Sequence, residues 1–179
     1  MMKHAGTVLL VAGIAAVATL GVPALADDQD AGARTLRATL KGFEETPAIS
    51  STGHGTFRAT ISEDGTSLSY TLTYEGLESD VLQSHIHLGQ KGVAGGIAVF
   101  LCTNLGNGPA GTPACPGPRA GTVSGTATGA QIVGPTGQGL APGEFAELLR
   151  AIDRRVTYAN VHTNDHPGGE IRGQIDDED

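Results

Sequence analysis

From Arg34 onward apolar and polar residues alternate. Leu36, Ala38 and Leu40 take turns with Thr35, Arg37 and Thr39, the period-two pattern of a strand with one buried face. Residues 43–52 read as a loop, because Glu44, Glu45 and Pro47 break any pattern. Alternation resumes with Phe57, Ala59 and Ile61 and, beyond the turn Glu63-Asp64-Gly65-Thr66, with Leu68, Tyr70, Leu72 and Tyr74. Glycine at Gly65 supplies the positive φ that tight turns need, so these two runs predict a β-hairpin. A further strand is expected over about 81–88, then a glycine-rich loop over 89–96. The unbroken apolar run Ile97-Ala98-Val99-Phe100-Leu101 fits a buried central strand. Residues 121–129 predict a thinner strand near an edge, and 134–139 a loop.

The period changes once. Phe145, Leu148, Leu149 and Ile152 are spaced i, i+3, i+4 and i+7, with Pro142 where a first helical turn tolerates it. This predicts one short amphipathic helix over about 142–152, its apolar stripe closing an open end of the sheets. Residues 156–163 return to strand, with either Val156/Tyr158 or Ala159/Val161 as the buried face. Gly168-Gly169 interrupts, and Ile171, Gly173 and Ile175 mark a last strand. Short strands, many turns and little helix predict an all-β protein, an antiparallel Greek-key β-sandwich of about seven to eight strands.

The first 26 residues stand apart. Met1-Met2-Lys3-His4 is a short positive start, 7–20 is an uncharged apolar run, and Pro23-Ala24-Leu25-Ala26 ends in a small-x-small cleavage pattern. We read 1–26 as a signal peptide cleaved after Ala26, 27–33 as a flexible N-terminus, 34–175 as one domain and 176–179 as a solvated, frayed acidic tail. The expected location is secreted or periplasmic, with no membrane anchor after cleavage. The chain has 19 acidic against 11 basic residues, a net charge of −8, which argues against nucleic acid as a partner. Export also frames the two cysteines. Cys102 and Cys115 bracket a Gly- and Pro-rich stretch, and an even count in an oxidising compartment predicts a disulfide between them.

The candidate chemistry lies in histidine. The chain has six, and four of them fall in two short segments, Ser84-His85-Ile86-His87 and His162-Thr163-Asn164-Asp165-His166. Side chains two apart on a strand share a face, so His85 and His87 present two imidazoles together. His162 is expected to join them as a third metal ligand, with His166 as a fourth candidate that can instead serve only to cap the turn at Pro167. Asn160 and Asp165, with Thr163, are candidates for outer hydrogen bonds that fix the ring tautomers. His54 reads as a surface residue. Glu170 and Arg172 share a strand face and are expected to form a structural ion pair.

Imidazole donors suit copper, zinc or nickel, whereas calcium and magnesium want oxygen. Copper binds most tightly among divalent first-row ions, so Cu(II) is the expected metal and zinc the alternative.

These residues also carry a resemblance. Ser84-His85-Ile86-His87-Leu88-Gly89, Val99-Phe100-Leu101, Tyr158-Ala159-Asn160-Val161-His162-Thr163 and Pro167-Gly168-Gly169-Glu170-Ile171-Arg172-Gly173-Gln174-Ile175 resemble the CHRD domain, named after chordin and found in exported bacterial proteins. The likeness extends over about 34–175, with His54 where a small residue is expected and the cysteine loop as a variable insertion. It implies a β-sandwich, export and a binding role, and does not by itself imply an enzyme. A second likeness is to the copper ligands of copper-zinc superoxide dismutases, with His85, His87 and Val161-His162 in the corresponding places. The zinc loop and bridging histidine have no counterpart, and Arg172 does not fall where that family's guiding arginine sits. Three functions therefore stand open: a metal-binding or interaction module, a copper-only dismutase-like enzyme, and a metal-free module for an extracellular protein or glycan.

Overall fold

The computed structural model describes residues 1–2 and 33–178. Apart from Met1 and Met2, the expected signal peptide lies outside the described residues, as does nearly all of 27–33.

The alternating runs form the strands expected of them: β1 (Arg34–Lys41), β2 (His54–Ile61), β3 (Ser67–Glu75), β4 (Val81–Leu88), β5 (Gly96–Thr103), β6 (Gly121–Thr128), β7 (Thr157–Thr163) and β8 (Ile171–Gln174). A two-residue β9 (Asp176–Asp177) follows. All pairings are antiparallel, in the order β5-β4-β7-β8-β1-β2-β3-β6, with β9 beside β1. The hairpin β2–β3 keeps register from Ile61↔Leu68 to His54↔Glu75. The connections β3→β4, β5→β6 and β6→β7 pass from one half of this order to the other, so two antiparallel halves wrap a shared core. The sheet nearly closes, through the bridge Val99↔Ile132. Tyr70, on β3, donates its hydroxyl to the carbonyl of Leu101 at 2.7 Å and ties the halves across the core.

Leu36, Leu40, Phe57, Leu68, Leu72, Ile86, Leu101, Val161 and Ile171 fill that core. The helix α1 (Phe145–Asp153) adds Phe145, Leu148 and Ile152. It starts later than its spacing predicts. Gly143 sits at φ 90°, a turn conformation that no helix contains, so Pro142 belongs to the preceding turn. The C-terminal stretch is also corrected. Asp176 and Asp177 pair with Arg37 and Leu36, and Asp176, Asp177 and Glu178 meet Arg155, Arg34 and Arg58 respectively. Opposite charge on three other segments holds in place what acidic composition alone marks as frayed.

Cys102 and Cys115 form the expected disulfide, both sulfurs in the buried cluster. It closes a loop with a sequence separation of 13. Removing it in the double variant Cys102→Ser/Cys115→Ser is expected to cost about 3 kcal/mol by the loop-entropy relation. The change in urea midpoint between the two proteins measures it, and an unchanged midpoint refutes it.

Candidate metal centre

Strand pairing decides which side chains meet. On β7 the residues opposite Gln83, His85 and His87 are His162, Asn160 and Tyr158. Opposite residues of an antiparallel pair point to the same side. His85, His87, Tyr158, Asn160 and His162 therefore share one face, while Ile86, Ala159 and Val161 take the other and enter the core. On β8, Arg172 stands opposite Asn160 and joins the histidine face. The pairing of β4 with β5 slips between Ser84 and His85 and again between Ile86 and His87. Such bulges twist the strand locally and re-aim side chains.

The histidine face is not left to solvent. His85 is 0% exposed, His87 7% and His162 6%. The loop after β4, the turn before β2 and the turn before β8 lie over it, each fixed by a bond to this face. Arg172 donates to the carbonyls of Gln90 and Val93, both at 2.9 Å, and to Thr46 Oγ1 at 3.3 Å. Its guanidinium lies 3.4 Å from the centre of the Tyr158 ring. Tyr158 in turn stacks on His87, with centroids 4.8 Å apart and planes 3° from parallel. Phe100 meets His85 edge-on at 4.5 Å.

The hydrogen bonds fix every ring's tautomer. His87 Nδ1 is 2.9 Å from the carbonyl of Gly95, and His162 Nδ1 is 3.0 Å from that of Pro167. A carbonyl only accepts, so both Nδ1 atoms carry hydrogen and both Nε2 atoms keep a lone pair. His85 Nδ1 lies 3.0 Å from His162 Nε2, and must donate to it. Its own Nε2 then also keeps a lone pair. The Nε2 atoms of His85 and His87 are buried with no hydrogen-bond partner, as is Asn160 Oδ1 beside them. Burial, with the like charge that neighbouring rings would carry, drives His85 down to about 2. Burial takes His87 to about 4, against the opposing bond to Gly95, and lowers His162 as well. All three rings are thus neutral bases at ordinary pH.

One nitrogen from each of His85, His87 and His162 lies within 4.8 Å of the others. The three neutral imidazoles form a buried triad that can hold a metal. His87 and His162 are oriented through Nδ1–H bonds to backbone carbonyls, and the Nε2 lone pairs of His85 and His87 are free. His162 Nε2, which accepts from His85 here, would exchange that bond for one to the ion.

The other expected site residues fall differently. His166 faces Glu78 at 3.2 Å and is not part of the triad. With Asp165, Glu45 and Pro167 it lines a separate recess of about 230 Å³. Asp165 bonds through its backbone N–H to Ser79 Oγ, so the expected outer-shell role passes to the carbonyls of Gly95 and Pro167. The turn brings the Pro167 carbonyl back to His162 but directs the His166 ring toward Glu78 instead. His54 is on the surface and pairs with Glu75 at 2.8 Å. Glu170 and Arg172 are both buried and hold separate partners; they form no ion pair. Residue type alone does not mark Tyr158, Phe100 and Arg172 as part of the site. Period two from His162 places Tyr158 on its face, but only the strand register puts that face against His85 and His87.

No curated protein and no solved structure is significantly similar to this chain. The family model described as "CHRD domain" matches residues 36–175, from within β1 through β8, and so includes the whole histidine face. The chain belongs to the CHRD domain family.

Proposed function

We propose that this CHRD-domain protein is an exported metal-binding module that holds one transition-metal ion, copper before zinc, between His85, His87 and His162. The observation that carries the reading is the set of fixed tautomers. Two rings are locked through Nδ1–H to backbone carbonyls, and lone pairs on His85 and His87 are buried with nothing to accept. Leaving buried acceptors unmatched is unfavourable, and a metal satisfies them. The N-terminal 26 residues support export. Enclosure of all three rings favours holding an ion over turning over a substrate, since a dismutase requires an open coordination position.

Untagged protein stripped with chelator and dialysed against copper or zinc is expected to retain close to one ion per chain by elemental analysis. His87→Ala should weaken binding by more than the roughly 10–100-fold that follows loss of an outer-shell partner. His166→Ala should retain the ion, because His166 is engaged with Glu78. Equal metal content in wild type and His87→Ala overturns the reading and leaves the metal-free interaction module in its place.

A further inference from the structure

We infer that the triad selects a monovalent ion, Cu(I) or its stand-in Ag(I), over divalent copper or zinc. This rests on the metal-binding reading above and adds the charge state of the ion. Among the described residues the donor set contains three neutral imidazoles and no carboxylate or thiolate. The groups packed around the rings are Phe100, Tyr158 and the amide of Asn160, none of them anionic. The formal charge stacked on this face is itself positive, the Arg172 guanidinium over Tyr158.

Burying an ion costs free energy that rises with the square of its charge, so a dication costs about four times as much as a monovalent ion of similar size. A buried carboxylate or thiolate ligand offsets that cost in many divalent sites, and none is among the donors here. Coordination number points the same way. Cu(I) and Ag(I) are satisfied by two or three nitrogen donors, whereas zinc fills four positions, with water or an anion in the fourth. With the three rings between 0% and 7% exposed, the covering loops leave little room for that fourth group. The Irving–Williams order, which favours Cu(II), compares divalent ions only and does not bear on this choice.

The test compares four ions on untagged, metal-free protein. Cu(I), kept reduced without oxygen, is titrated against a chromophoric Cu(I) chelator; Ag(I), Cu(II) and Zn(II) are measured by competition and by thermal shift. Cu(I) and Ag(I) are expected to bind at least about 100-fold more tightly than Zn(II), the dication's extra desolvation setting the gap. Asn160→Asp, nearly isosteric and opposite His85, places a carboxylate on the same face. It should move the Zn(II)-to-Ag(I) affinity ratio toward zinc by about ten-fold or more, through a short-range charge interaction in a poorly hydrated site. Divalent ions binding as tightly as Ag(I), or an unchanged ratio in folded Asn160→Asp, overturns the selectivity while metal binding stands. Failure of all four ions to bind overturns the metal-binding reading and this inference together.

Discussion

Replacing Glu170 by alanine is expected to destabilise the domain by about 3–5 kcal/mol, the range for removing one member of a buried polar network. Glu170 precedes β8 and is 0% exposed. Its Oε1 accepts from Ser51 Oγ at 2.7 Å and from the backbone N–H of Glu78 at 2.9 Å; its Oε2 accepts from Thr163 Oγ1 at 2.7 Å. One side chain therefore joins the loop before β2, the approach to β4 and the end of β7. The space is closed on Gly53 as well, where a Cβ would come within 2.8 Å of Oε1. Alanine leaves three donors without their acceptor, the Thr163 hydroxyl fully buried and those of Ser51 and Glu78 partly so, and an unmatched buried donor costs about 1–3 kcal/mol. Glutamine keeps the shape but turns an NH₂ group toward donors, so Glu170→Gln should fall between wild type and alanine. For a domain of this size a loss of this order lowers the melting temperature by roughly 10 °C. A melting point for Glu170→Ala within a degree or two of wild type would show that the network is not holding these segments.

The same residue illustrates what the sequence conveys and what it withholds. Strand positions are legible because one buried face imposes a period of two, as in Leu36-Ala38-Leu40 and Phe57-Ala59-Ile61. That rule also sets His85 and His87 side by side. It fails on β7, where every residue is buried and alternation vanishes. There the hydrophobic face and the histidine face are both covered, one by the core and one by loops, so composition cannot say which is which. Only the register Gln83↔His162 settles the matter, and register is a property of two strands. The orienting groups on Gly95 and Pro167 are backbone carbonyls and leave no mark in the residue types. Glu170 and Arg172 read as an exposed pair because charge usually means surface. Here loops fold over the sheet and supply neutral partners to each. Proximity in sequence makes His166 a candidate ligand, yet the turn at Pro167 carries it toward Glu78.

Metal-free protein is expected to lose stability as pH falls from about 6.5 to 4.5, and bound metal should largely remove that dependence. An unfolded chain protonates its histidines near the ordinary value of 6.5, whereas folded His85 and His87 resist until about 2 and about 4, and His162 is also lowered. Above 6.5 the rings are neutral in both states and the effect is absent. Below it the unfolded state binds protons the fold refuses, so stability falls with pH, by about 1.4 kcal/mol per pH unit for each ring. Glu45 acts in the opposite sense. Burial raises its carboxyl from 4.5 to about 7, although Arg172 pulls the other way. The fold then holds a proton that the unfolded chain releases, and that contribution is present below 4.5 and lost as pH rises through 7. Between these limits Glu45 offsets about one of the two rings His85 and His87, and the other remains. The net loss over two pH units from these groups is on the order of 3 kcal/mol, a large part of the stability of an ordinary domain, and His162 adds to it in the same direction. Urea midpoints measured across this range, with and without bound ion, give the slope directly. His87→Gln should reduce it by about one proton's worth, because glutamine does not titrate. A metal-free midpoint that stays level from pH 6.5 to 4.5 would mean that the rings take up protons within the fold, and three charged imidazoles could not remain this close and this deeply enclosed.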